Sequence, residues 1–204
     1  MLKTAAMALG VLTFAIAGGG ASVWYALGQM TGPAALRTGV WTAYPELGSA
    51  EADPYSKAAI ARDAVLPLGP AEGLAFYADR DSTGIRLSGR CTYRLEGTVP
   101  LARLWTLHVR SADASRHASP GLHSMAIIHR DDNGVEITAA PTPMPGNWLR
   151  TGNLREMTLV LTLYDTPVAG RASRARISLP EVTRLGCRGQ GPSAPPADRQ
   201  DGMM

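Results

Sequence analysis

Residues 145–167 read "PGNWLRTGNLREMTLVLTLYDTP". In the second half Met157, Leu159, Leu161 and Leu163 fall on one parity, with Thr158 and Thr162 on the other, which is the period of a half-buried strand. The first half places Trp148 in a Gly/Pro/Asn loop just before that strand. The indole has two readings. In one it closes the end of a β-sandwich core while Asn147 holds the loop through side-chain to backbone hydrogen bonds. In the other a sugar or aromatic ligand stacks on Trp148, with Asn147, His123 and Tyr164 as polar partners. Large aromatics usually end up buried, so the core plug is the leading expectation, and the same holds for Trp105.

The pattern extends upstream. In "CTYRLEG" Cys91, Tyr93 and Leu95 share a face. In "RLWTLHVRS" Trp105, Leu107 and Val109 point inward and Thr106 and His108 outward. Residues 71–97 hold two or three strands with a turn at Ser82-Thr83-Gly84. "HSMAIIHRDDNGVEITA" reads as a hairpin, because Asn133-Gly134 suits a type I′ turn. Strands this close together, with turns between them, predict a mainly β fold, an antiparallel sandwich rather than βαβ units. One short helix precedes it in "DPYSKAAIARDAVLP", where Asp53 can cap, Pro54 suits the first helical position and Pro67 lies past the end. The expected division is an N-terminal segment 1–28, a linker 29–52, the sandwich domain 53–187 and a disordered tail 188–204.

The chain has 204 residues, 45% of them hydrophobic, enough for one domain with a real core plus a short extra segment. The 22 glycines and 15 prolines favour turns over long helices. The formal charge is +3, but the cations are scattered without a Lys/Arg run, so no nucleic-acid partner is expected. No GxxxxGK[ST] or GxGxxG stretch is present to cradle phosphate, and no cofactor is implied.

After Lys3 no charge appears until Arg37. Thr4 to Leu27 is long and apolar enough for a bilayer core, which takes roughly 20 residues as a helix. Trp24 and Tyr25 stand near its outer end, where amphipathic rings favour the headgroup level. The competing reading is a cleaved signal peptide, whose apolar core is shorter, with "AIAGGGAS" as the cleavage region. Gly18-Gly19-Gly20 would also weaken a helix. The anchor is the leading expectation: a single pass in the inner membrane, with Lys3 on the cytoplasmic side and the C-terminal domain on the periplasmic side.

Chemistry is sparse. His108, His117, His123 and His129 form no H-x-x-x-H or H-E-x-x-H pair, and no metal site is expected. Ser124 follows His123, but no G-x-S-x-G elbow surrounds any serine. Asp131-Asp132 precede a turn, where solvated carboxylates are ordinary. No catalytic residue emerges. The two cysteines, Cys91 and Cys187, allow one intramolecular pairing, and an oxidising envelope would permit a disulfide between them. The alternative is two buried thiols.

Taken in order, "LSGRCTYRLEG", "LWTLHVRS", "HSMAI", "DDNGVEITAAPTP" and "GNWLRTGNLREMTLVLTLYDTP" resemble the bacterial domain of unknown function 1214, from about Asp53 to Cys187. That family carries an N-W-L-P stretch and an L-x-L-R-L-Y strand. Here Arg150 stands in place of the proline and Thr162 in place of the arginine. The resemblance implies a jelly-roll-like β-sandwich and no established reaction. In the family this domain commonly follows a second module, the domain of unknown function 1254, and the chain looks like a short membrane-anchored version carrying only the 1214 half. Two functions follow as expectations. One is a non-catalytic envelope protein that docks to a partner resembling the 1254 module. The other is an enzyme or binding module for an envelope glycan or small metabolite, with a cleft near Trp148. A large exposed apolar patch would favour the first, and a concave pocket with convergent polar groups the second.

Overall fold

The computed structural model describes residues 2–28, 35–50, 52–63, 66–111, 120–130, 134–152, 154–170 and 177–187. His117, Asn133, the proposed tail 188–204 and residues 29–34 of the proposed linker lie outside them.

Helix α1 (Leu2–Gly28) is apolar and runs through its three consecutive glycines. Its Lys3–Tyr25 portion is 23 residues with mean hydropathy 1.7 and no burial against the rest of the protein. At 1.5 Å per residue that is about 35 Å, longer than the roughly 30 Å hydrocarbon core, so the helix is long and apolar enough to cross a bilayer. Helix α2 (Pro54–Asp63) begins on its proline, whose missing amide costs nothing in the first turn.

The rest is mainly β. The strands are β1 (Leu36–Thr38), β2 (Trp41–Ala43), β3 (Gly73–Ala78), β4 (Cys91–Gly97), β5 (Leu104–Ser111), β6 (Leu122–His123), β7 (Val135–Ala140), β8 (Asn147–Arg150), β9 (Met157–Tyr164) and β10 (Glu181–Cys187). They form a six-stranded sheet in the order β1-β2-β3-β9-β5-β6 and a four-stranded sheet in the order β10-β4-β7-β8. The inward set of β9 is as its sequence predicts, but Val160 and Thr162 on the other face are buried as well. Leu159, Leu161 and Leu163 are buried and pair with Ala78, Phe76 and Leu74 on one side and with Val109, Leu107 and Trp105 on the other. One hydrophobic cluster takes these side chains together with Tyr93, Leu95, Ile137, Leu149 and Val182 from the second sheet, so the two sheets pack as layers over a shared core. Full burial of each aliphatic side chain contributes roughly 1.5–3 kcal/mol.

Three features differ from the sequence expectations. Residues 36–43, inside the stretch read as linker, form a hairpin at the edge of the six-stranded sheet, turning at Gly39 with φ +57°. Such a φ suits a residue without a Cβ. Next, the arms of the expected "HSMAI…VEITA" hairpin form no ladder with each other, although the Arg130 amide donates to the Gly134 carbonyl at 3.1 Å. β6 joins β5, whereas β7 joins β4, so the segment crosses between sheets. Finally, every ladder is antiparallel except β7 with β8, which is parallel. The return between them, Pro141-Thr-Pro-Met-Pro-Gly146, carries three prolines without amide donors. Such a segment cannot serve as a paired antiparallel strand, so pairing resumes only at β8.

Cys91 and Cys187 lie opposite each other on β4 and β10 and form a disulfide. It closes a loop spanning 96 residues and fastens the last described strand to its sheet.

Candidate functional site

Trp148 takes the outward face of its sheet. In the parallel ladder Leu149 shares the inward face with Ala139 and is buried, whereas Trp148 pairs with Thr138 on the outward face and is half-buried. Its indole Nε1 donates to the Ala140 carbonyl at 3.1 Å. The core plug is a different tryptophan. Trp41 is 1% exposed, and its Nε1 donates to the Pro180 carbonyl at 2.7 Å. Trp105, as expected, is buried in the core.

The four residues proposed as ligand contacts divide between the sheets. Asn147 and Trp148 sit on β8, the edge of the four-stranded sheet. The Asn147 side chain is fully engaged with the carbonyls of Ile128 and Glu136 and the amide of Ile128. His123 on β6 and Tyr164 on β9 belong to the six-stranded sheet, with His123 opposite Thr106 and Tyr164 opposite Leu104. No hydrogen bond joins any two of the four among the described residues. Ser124 is structural, its hydroxyl accepting from the Trp105 amide at 3.3 Å. Among the described residues no three His, Cys, Asp or Glu side chains gather as a metal ion would need.

Among the described residues a concave site lies elsewhere, at the β1–β2 edge of the six-stranded sheet. A groove of about 1290 Å³ runs between the hairpin, the 80–84 turn, the end of β5 and the 177–181 segment, with Ile60 of α2 on its border. None of the four sequence-proposed contacts lines it.

Its floor follows from strand register. Arg37, Thr42 and Tyr77 occupy one row across β1, β2 and β3. Since Trp41, Phe76 and Ala78 take the core side, this row faces outward. Arg110 stands opposite Thr158 on the same face, with its guanidinium carbon 5.1 Å from the Tyr77 ring centroid, a cation–π contact. The Tyr44 ring tilts against Tyr77 at 6.4 Å between centroids. Burial pushes the Tyr44 hydroxyl pKa up against the opposing pull of Arg37, so it remains a donor at neutral pH.

The walls are tied down. Asp81, 1% exposed, accepts through Oδ1 from the Thr83 hydroxyl at 2.6 Å and from the amides of Thr83 and Ile85 at 3.0 Å each. Its Oδ2 lies 2.9 Å from Arg184 Nε. Burial opposes ionisation of this carboxyl, but the Thr83 and Ile85 hydrogen bonds and Arg184 outweigh it and hold the pKa below the ordinary carboxylate range. Arg184 also donates to the Arg86 carbonyl at 2.8 Å and lies over the Tyr93 ring. The Ser82 amide and hydroxyl both donate to the Val182 carbonyl. The Trp41–Pro180 hydrogen bond locks the hairpin to the opposite wall.

Charge in the groove is unevenly compensated. Arg80 has Asp79 at 3.9 Å and Arg86 has Glu156 at 3.4 Å. Arg37 and Arg110 form no ion pair with a described carboxylate. Residues 36–43 were missed at the sequence level because each strand is only three residues long. The available signal was Gly39 between β-forming Thr38 and Val40-Trp41.

Residues 72–168 match the family model described as Protein of unknown function (DUF1214), which bears out the resemblance over that stretch. No curated protein matches the chain. Solved structures similar to it include the VPA0106 protein from Vibrio parahaemolyticus, which aligns at 16% identity and TM-score 0.49 over 65% of this chain. They also include a putative uncharacterized protein from Burkholderia cenocepacia, which aligns at 21% identity and TM-score 0.41 over 60% of it. The aligned region covers only 35% and 31% of those two chains.

Proposed function

We propose that this protein, whose residues 72–168 match DUF1214, is an envelope β-sandwich that binds a ligand in the Arg37–Arg110 groove without transforming it. The observation that carries this reading is the groove itself, a concave site in which two arginines without an ion partner among the described residues converge on two tyrosines. The described histidines and Ser124 supply no assembled nucleophile and base beside it. The α1 helix is the membrane anchor of this proposal, and the Cys91–Cys187 disulfide suits a domain held in an oxidising compartment. Lys3 then lies on the cytoplasmic side of the inner membrane and the domain on the periplasmic side.

Protein gently extracted from native membranes and weighed intact tests the binding reading. A bound mass is expected in the wild type and in Trp148→Ala, and its absence in Thr42→Trp, which fills the groove floor without touching the core. No bound mass, or one unaffected by Thr42→Trp, contradicts the proposal. Protease added to spheroplasts should digest the domain, and inner-membrane vesicles should protect it; the opposite pattern reverses the orientation.

A second reading, docking to a partner resembling the 1254 module, is favoured by a separate feature. Met125 (84% exposed), Ile128 (70%) and Met144 (41%) lie on two loops that Asn147 ties together. Met125→Ser with Ile128→Ser should abolish co-purification with such a partner; unchanged recovery would exclude these loops as the contact.

A further inference from the structure

Resting on the groove reading above, we infer that the ligand is an extended acidic saccharide, its carboxylates held by Arg37 and Arg110 and its hydroxyls by the threonines between them. Size comes first. About 1290 Å³ exceeds the roughly 300–1,000 Å³ of pockets that enclose a single small ligand, so the groove suits several linked units. The two cations enter from opposite sides. Arg37 and Arg110 arise from β1 and β5, four strand positions apart, and the Arg110 guanidinium reaches back over Tyr77 on β3.

Chemistry then selects the class. Guanidinium groups without carboxylate partners accommodate carboxylates through charge-assisted hydrogen bonds. Between them the floor presents the hydroxyl-bearing Thr42 and Thr158 and the rings of Tyr44 and Tyr77, which match the hydroxyls and the C–H faces of sugar rings. A peptide is less well served. The floor strands β2, β3 and β9 are each paired on both sides, so a peptide adding as a strand would have to pair with the outer edge of β1 rather than lie along the floor.

Calorimetric titration of the full chain in nanodiscs with three probes tests this inference: a 1,4-linked galacturonate tetramer, its fully methyl-esterified form and tetraglutamate. The galacturonate tetramer is expected to bind, with Arg37→Ala and Arg110→Ala each weakening it about tenfold or more and Trp148→Ala leaving it unchanged. The ester and tetraglutamate should bind at least about tenfold more weakly. Equal binding of the ester overturns the acidic requirement while the groove reading stands. Equal binding of tetraglutamate overturns the saccharide class and leaves an acidic-peptide site. Binding indifferent to both arginines places the ligand outside the groove and overturns the inference together with the groove reading. If none of the three binds, the inference falls, and the bound mass from native membranes still decides the groove reading.

Discussion

Asn147 and Ile128 are joined by two hydrogen bonds of 2.7 Å, the Ile128 amide donating to Asn147 Oδ1 and Asn147 Nδ2 donating to the Ile128 carbonyl. The side-chain amide thus imitates the peptide group of a neighbouring strand. Its second Nδ2 proton reaches the Glu136 carbonyl at 2.9 Å. A single residue therefore ties the 124–130 segment to β7 and β8, where the sequence pattern had promised a hairpin.

Replacing that amide with a carboxylate should be worse than deleting it. In Asn147→Asp the two donated bonds disappear and a negative charge faces two carbonyl oxygens, whereas Asn147→Ala leaves those groups to find water. We expect Asn147→Ala to cost about 1–3 kcal/mol and Asn147→Asp to cost more at neutral pH, with the difference shrinking as the aspartate protonates. Urea denaturation at two pH values measures this, and equal stability of the two variants would contradict the geometry.

The two tryptophans should respond very differently. Trp41 is 1% exposed and fills the core, so Trp41→Ala should cost about 3–5 kcal/mol. Trp148 is half-buried on an outward face, and its loss should cost about 1 kcal/mol, mainly one hydrogen bond and partial packing. Comparable losses in denaturant midpoint would restore Trp148 as a structural plug.

Asp81 and Arg184 form the most enclosed ion pair among the described residues, with side chains 0% and 23% exposed. Removing one partner strands the other. Asp81→Ala should therefore cost about 3–5 kcal/mol, and Asp81→Ala with Arg184→Met should cost less than the sum of the two single changes. Strict additivity in a double-mutant cycle would show that the pair is not coupled.

His108 gives the fold a pH dependence. Burial first, and Arg110 second, lower its pKa below the ordinary 6.5. The unfolded chain then binds the proton more readily than the folded one, so this contribution is complete above the unfolded pKa and declines as pH falls from there toward the lowered folded value. Between about pH 7.5 and pH 5 the wild type should lose more stability than His108→Asn. Parallel losses would place the acid sensitivity in other groups.

The fold was legible where side chains alternate over a long run. β4, β5 and β9 have seven or eight residues each, and their inward sets declare the core. The disulfide was legible because two cysteines admit one pairing. What escaped was the β1–β2 hairpin, whose three-residue strands are too short to show a period. The groove escaped with it, since Arg37, Tyr44, Tyr77 and Arg110 meet only through sheet register, spanning residues that the sequence separates by dozens of positions. Trp148 misled for a related reason. Loop composition marks the end of a turn, but only the register of β8 against β7 tells which face the indole takes.

The most direct test of the groove as the functional site is hydrogen–deuterium exchange of the full chain in nanodiscs, with and without the galacturonate tetramer. Slower exchange is expected in residues 37–44, at the end of β3 and the 80–84 turn, and in residues 178–181, with residues 122–130 and 147–150 unchanged. Protection confined to those last two stretches, or no protection anywhere, would contradict the groove as the site.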